Sequence, residues 1–280
     1  VCKVLRVTTR NASFQQWQAL LTNRTKRQRA GEFLVQGVRP VTLAVDNGWS
    51  VAAFLYPDRQ PLSRWARELL DRVAAPRVAM AAELIHELGE KSEESAELLA
   101  VVRLPEDRLD RIPSGSDMLA IVFDRPSTPG NIGTLIRSAD AFGASGVIIT
   151  GHAADPYDPK AVRASTGSLF AVPVVRVASH REVLDWVSSL RARGLPVGVV
   201  GTDERGSVDL ADHDLTGPKL LLIGNETNGL TSAWRQACDE MVRIPISGAA
   251  SSLNAASAAT VVLYEAALQR GRADRRGRQP

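Results

Sequence analysis

MLAIVFDRPSTPGNIGTLIRSADAFGASGVIIT, residues 118–150, holds the pattern that decides the fold. MLAIVFD is a short, unbroken apolar run ending at Asp124, the pattern of a strand buried on both faces. A loop with Pro126, Pro129 and Gly130 interrupts it, and NIGTLIRSADAFG then reads as a helix closing at Gly143. SGVIIT follows as a second strand. Two buried strands joined by one helix argue parallel pairing, because a parallel connection has to cross back over the sheet.

The same alternation continues toward the C-terminus. DPKAVRAST is a helix, FAVPVVRV a strand, HREVLDWVSSLRARG a helix, and PVGVVGTD and PKLLLIGNE strands. TSAWRQAC is a helix, MVRIPIS the last strand, and the stretch from Ser252 to Arg270 the last helix. This is an α/β unit with a mostly parallel sheet and helices on both faces. Toward the N-terminus, PEDRLDRIPSGSD (105–117) is charged, carries two prolines and reads as a linker. Residues 1–104 form a second, smaller α/β unit. Within it, 13–28 is one helix capped by Ser13, EFLVQG a strand, RPVTLAVDNG a helix stopping at Asn47-Gly48, and VAAFLYP a strand. SRWARELLDRV is a helix and RVAM a strand, while AAELIHELGE and SAELLAVVRL continue the alternation. The predicted organisation is thus 1–104, a linker 105–117, a second domain 118–270 and a basic tail 271–280. A chain of 280 residues suits two domains at roughly 100–200 residues each.

No apolar run reaches the roughly 18 residues of a membrane span, and VCKVLRVTTR lacks the apolar core of a signal peptide. Cys2 and Cys238 are the only cysteines, which fits a reducing cytoplasm better than a disulfide scaffold. His86, His152, His180 and His213 show no metal-ligand spacing, so no metal is expected. The net charge is only +3, but residues 1–40 carry eight Lys or Arg against Glu32 alone. Arg10, Arg24, Lys26, Arg27, Arg29 and Arg39 in that cluster suggest a nucleic-acid surface; the bland reading is a solvated end. Phe14 and Trp17 beside it could stack on bases or anchor their own helix.

Ligands of open parallel sheets bind beyond the carboxyl ends of strands. Three strand ends here carry glycine and polar residues. After Asp124, Asn131 is placed to cap the next helix, and Arg137 lies inside that helix. A surface position is the common one for an arginine, whereas one facing inward would meet a phosphate or carboxylate. LLLIGNETNGL (220–230) ends in Gly224, Asn225 and Glu226. IPISGAASSLNAASAA (244–259) has Ser252, Leu253 and Asn254 opening a helix of small residues, where Asn254 could be a plain cap. GNIG falls short of a dinucleotide fingerprint, and no acid closes GVIIT, which argues against a nicotinamide-dependent oxidoreductase.

Taken together, NIGTLIRSADAFGA (131–144), LLLIGNETNGL (220–230) and IPISGAASSLNAASAATVVLYE (244–265) resemble the three ordered motifs of the SpoU (TrmH-type, SPOUT) RNA ribose 2′-O-methyltransferases. TTRNASFQQWQALLTNRTKRQRAGEFLVQGVRPVTLAVDNG (8–48) is similar to that family's RNA-substrate-binding domain, with Thr9 where serine is usual. Within the family the chain looks closest to the branch that methylates a uridine ribose in 23S ribosomal RNA and confers avilamycin-type resistance. The resemblance implies a trefoil knot at the C-terminal end, a homodimer, and S-adenosylmethionine as methyl donor. It further implies Gly224, Ile244 and Leu253 at the donor, with Asn225 and Thr202 as weaker candidates. Arg137 would assist deprotonation of the ribose hydroxyl, as a base or as a phosphate clamp. Asn131 would orient Arg137 or the ribose, Glu226 would hold the motif loops, and Ser252 and Asn254 would position arginine and substrate. The partner would be ribosomal RNA or the large ribosomal subunit. The competing reading is a non-catalytic, dimeric RNA-binding module.

Overall fold

The computed structural model describes residues 4–89 and 96–277. Cys2, Lys3, Glu90, Ser95 and Arg278, which the sequence reading uses, lie outside them. The chain divides into two compact units: residues 1–105 with 157–171, and residues 106–156 with 172–280.

The first unit contains β1 (Leu5–Val7), α1 (Ala12–Thr22), α2 (Arg24–Ala30), β2 (Glu32–Gln36), α3 (Val38–Asp46), β3 (Val51–Pro57), α4 (Arg64–Arg72), β4 (Arg77–Met80), α5 (Ala82–Leu88) and β5 (Leu99–Arg103). Its sheet runs β1-β4-β3-β5-β2, parallel from β1 to β3 and antiparallel through β5 and β2. The single helix expected over 13–28 is two helices. Asn11, not Ser13, caps α1, and the Asn23 side chain accepts the Lys26 amide and restarts the chain as α2. Phe14, Trp17 and Leu20 pack into the core with Leu55, Met80 and Leu84. Each such side chain contributes roughly 1.5–3 kcal/mol when fully buried.

The second unit contains β6 (Leu119–Asp124), α6 (Pro129–Ala141), β7 (Gly146–Thr150), β8 (Val174–Val177), α8 (His180–Ala192), β9 (Gly198–Thr202), β10 (Val208–Asp209), β11 (Lys219–Ile223), α9 (Ser232–Ala237), β12 (Glu240–Arg243) and α10 (Ala255–Gly277). The helix α7 (Pro159–Ser165) belongs to the first unit. The second sheet runs β10-β12-β9-β11-β6-β7-β8, and every one of its pairs is parallel. All six residues of β6 and all five of β7 are buried, as their unbroken apolar runs require.

Two boundaries differ from the sequence reading. The stretch 105–117 is not a free linker: Ile112 is buried in the second core, Arg111 donates to the Val174 carbonyl, and Arg176 pairs with Asp107. Residues 157–171, read as part of the second domain, pack in the first unit. There Tyr157 and Phe170 meet the ring of Phe33, and Trp49 donates to the Phe170 carbonyl. The basic tail is largely helical, since α10 runs to Gly277. Arg270 on that helix donates to the carbonyls of Leu215, Asp117, Met118 and Gly217.

Candidate active site

The adjacent strands β12, β9 and β11 end together, and beyond their carboxyl ends lies a cleft of about 480 Å³. This is the size range of small-molecule sites, roughly 300–1,000 Å³. Its walls come from three loops: Thr202 to Arg205 after β9, Ile223 to Gly229 after β11, and Ile244, Ile246, Ser252 and Leu253 between β12 and α10. All five residues expected at the donor line it: Thr202, Gly224, Asn225, Ile244 and Leu253.

Gly224 has no room for a side chain. A Cβ there would lie 2.3 Å from the Gly229 carbonyl carbon and 2.4 Å from the Leu230 nitrogen. The chain folds back on itself through paired bonds, Asn225 N–H to Gly229 O (3.1 Å) and Gly229 N–H to Asn225 O (3.0 Å). The Asn225 side chain closes this turn. It accepts from the Thr227 and Asn228 amides and donates to the Arg125 carbonyl at 2.7 Å. The Thr202 hydroxyl donates to the Leu222 carbonyl, joining β9 to β11 just beneath the cleft.

One chain of hydrogen bonds connects the three motif stretches. The Glu226 carboxylate accepts from the Ser127 amide (3.0 Å) and hydroxyl (3.1 Å), the Thr128 amide (3.3 Å) and the Asn131 side-chain amide (3.1 Å). Asn131 in turn accepts from the Asn254 side-chain amide at 3.3 Å. Asn254 accepts the Ala256 and Ser257 amides and so caps α10. Burial alone would raise the Glu226 carboxyl, but its donors outweigh burial and hold it below the ordinary carboxylate range. It is therefore an anion at neutral pH that accepts and does not donate. Beneath the turn, buried Asp124 accepts from the Thr150 hydroxyl, the Thr231 amide and the Arg125 guanidinium, which also reaches the Gly229 carbonyl.

Asn131 does not cap α6. Pro129 starts the helix two residues earlier, since a proline at the first position costs no hydrogen bond, and Asn131 is left free to reach Glu226. Arg137 does not face inward. It is exposed on α6 with Thr134 and Ala141, opposite Ile132, Leu135, Ile136 and Ala139, and makes no hydrogen bond or ion pair among the described residues. Ser252 and Asn254 are also exposed. Asp203, Glu204, Arg205, Arg235 and Ile246 line the cleft but were not singled out; the charged run directly after the β9 strand was the signal for three of them. Among the described residues no group of three or more His, Cys, Asp or Glu could hold a metal.

The basic cluster sorts into two kinds. Arg24, Lys26 and Arg29 are exposed on α2, and Arg39 is exposed while donating to the Thr166 carbonyl. Arg10 is exposed and pairs with Glu87 at 2.7 Å. Arg27, expected among the nucleic-acid contacts, is 2% exposed; it donates to the Leu20 carbonyl at 2.7 Å and pairs with Asp158 at 3.5 Å. It ends α1 and binds α7 rather than meeting solvent. Phe14 and Trp17 are likewise core anchors, not stacking platforms. Arg27→Ala is expected to lower stability by roughly 3 kcal/mol, because it leaves the Leu20 and Leu21 carbonyls and the half-buried Asp158 carboxylate without this donor. Urea denaturation checks this, and a loss below about 1 kcal/mol, the level of a surface pair, contradicts the structural role.

Residues 11–100 match the SpoU L30e-like domain, and residues 118–264 match the SpoU rRNA Methylase family. The 23S rRNA (uridine(2479)-2′-O)-methyltransferase of Streptomyces viridochromogenes is 62% identical over 265 residues, covering 95% of this chain and 92% of that protein. The crystal structure of the SpoU methyltransferase AviRb from the same organism, in complex with the cofactor AdoMet, superposes with a TM-score of 0.90 over 93% of this chain and 98% of its own. An AdoMet-bound rRNA methyltransferase from Sinorhizobium meliloti is 30% identical, with a TM-score of 0.83 over 94% of this chain and 97% of its own. With two motif stretches lining one cleft, the first bonded to them through Asn131, and both halves matched, the chain belongs to the SpoU rRNA methylase family.

Proposed function

We propose that the protein transfers a methyl group from S-adenosylmethionine to the ribose 2′-oxygen of a uridine in 23S ribosomal RNA. The observation that carries this is one cleft lined by two of the three motif stretches, with the first bonded to both through Asn131, and with a tight turn at Gly224 that leaves no room for a side chain. The residues present fit the donor. Ile244, Ile246 and Leu253 offer apolar surface, and the turn at 224–229 offers backbone groups. When bound, the donor supplies a methyl group on a sulfonium sulfur. The named relative's substrate supports the choice of uridine and 23S RNA.

The ribose hydroxyl is a weak nucleophile and must lose its proton as it attacks. A guanidinium offers N–H donors in a planar fork and no acceptor, so Arg137 acts as a clamp on the adjacent phosphate and stabilises the developing alkoxide. It has no hydrogen-bond or ion-pair partner among the described residues, which leaves its donors available for that. Asn131, fixed between Glu226 and Asn254, orients the ribose beside it. Glu226 holds the loop before α6 against the turn after β11, and Ser252 lines the cleft.

The active form in this reading is a homodimer in the cytoplasm. Val261 and Tyr264 are 37% and 53% exposed on α10, which packs beside α6, and Phe142 meets the Tyr264 ring. This exposed apolar face suits a second copy of the chain; a light-scattering mass equal to one 30.2 kDa chain contradicts it. The knot expected for the family belongs to the same proposal. Its support is that the chain leaves β12, beyond β9, and returns as α10 to pack on α6 and β11. Among the described residues no helix is long and apolar enough to cross a membrane.

Isothermal titration with S-adenosylmethionine, followed by tritium transfer to transcribed 23S RNA, tests the function. Donor binding with transfer supports it; a chain that binds RNA but no donor is the non-catalytic module instead. Reversing the charges of Arg24, Lys26 and Arg29 is expected to weaken RNA binding and flatten its salt dependence, by a slope of about 0.7–0.9 per lost phosphate contact. An unchanged slope marks the cluster as a solvated face.

A further inference from the structure

We propose that Asp203 and Arg235 form a clasp across the cleft and act as positioning residues for the methyl donor. The inference rests on the reading of the cleft as the donor site. Asp203 follows β9 on one wall. Its amide donates to the Val242 carbonyl at 3.0 Å, and its carboxylate accepts the Arg205 amide at 2.9 Å and the Arg235 guanidinium. Arg235 rises from α9 and donates through Nε to the Leu230 carbonyl at 3.2 Å, where the turn after β11 ends. One ion pair thus ties the wall after β9 to the wall after β11. The loop is also pressed onto β12, since a Cβ at Gly206 would lie 2.4 Å from the Val242 carbonyl carbon.

The elements beneath do not need this pair. β9 is bonded on both sides, by β11 and β12. α9 is held by the Thr231 cap and by buried Trp234. What the pair fixes is the separation of the loops above them, and both side chains line the cleft. Asp203 is 12% exposed at its side chain and Arg235 42%, so the pair is sheltered on the carboxylate side and open on the other. Burial pushes the Asp203 carboxyl up, but the Arg205 amide and Arg235 hold it below the usual range, so it stays charged at neutral pH.

The test is titration of the full-length chain with S-adenosylmethionine, with steady-state transfer to transcribed 23S RNA, for wild type, Asp203→Asn, Arg235→Gln and the double variant. Each single variant is expected to weaken donor Kd and raise donor KM about tenfold, the loss of one charge-assisted bond, with kcat within about twofold. The double variant is expected to be no weaker than the worse single one, because the two act as a unit. Arg235→Lys, which keeps the ion pair, is expected to regain most of the affinity. Unchanged donor Kd in the single variants, additive losses in the double variant, a fall in kcat at unchanged Kd, or no rescue by lysine overturns the clasp. A wild-type chain that binds no donor overturns the functional reading and the clasp with it, whereas wild-type binding matched by the variants overturns the clasp alone.

Discussion

Arg137→Ala is expected to reduce methyl transfer by about a hundred- to a thousandfold, the scale seen when a preorganised charge-stabilising donor is removed. Donor affinity is expected to change by less than about twofold, because Arg137 is not among the residues lining the cleft. The side chain has no hydrogen-bond or ion-pair partner among the described residues, so its loss strands nothing and the fold should survive. Its helix is held by the opposite face, through Ile132, Leu135, Ile136 and Ala139. Titration calorimetry and tritium transfer on the same preparation separate the two effects. Retained turnover removes Arg137 from the mechanism. Loss of donor binding in parallel makes it a structural residue instead.

Gly224→Ala is expected to abolish measurable donor binding, a loss of at least about a hundredfold. The added methyl would meet Gly229 and Leu230 at 2.3–2.6 Å, and the three atoms nearest to it are all backbone. No rotamer change relieves such a contact, so the turn must open, breaking the paired bonds between Asn225 and Gly229. Opening it displaces Asn225 and Glu226 together, since Glu226 is the acceptor that gathers Ser127, Thr128 and Asn131. Circular dichroism distinguishes a local opening from global unfolding. A donor Kd within about threefold of wild type contradicts the close approach as the basis of the site.

The parallel sheet and its cleft were legible because their signals are local. Runs such as LAIVFD and GVIIT are apolar on both faces and could only be central strands. Of the glycine-marked strand ends, those of β6 and β11 fall on neighbouring strands, while β9 lies between β11 and β12, which spacing in the sequence does not reveal. Errors arose where a local pattern had two solutions. The apolar stripe of Phe14, Trp17 and Leu20 runs smoothly into a basic stretch, and only the Asn23 side chain, competing for the Lys26 amide, ends the helix. Asn131 resembles a cap until Pro129 is allowed to occupy the first turn. Arg137 shares a stripe with Thr134 and Ala141, three and four residues away, so helical period places it outward. The departure of residues 157–171 to the first unit has no marker in its own composition. It depends on Phe33 and Trp49, more than a hundred residues earlier, receiving Tyr157 and Phe170. Burial of Arg27 likewise depends on a distant carboxylate, Asp158.

The central claim is that one cleft in the second unit brings a methyl donor to a ribose held beside Arg137. Its most direct test is to incubate the purified chain with S-adenosylmethionine and transcribed 23S RNA, then locate the methyl group by alkaline-hydrolysis protection and mass spectrometry of the nucleosides. The account predicts one 2′-O-methyluridine, absent with Arg137→Ala and with Gly224→Ala. A methyl group on a base, or an RNA left unmodified by a chain that demonstrably binds both donor and RNA, contradicts it.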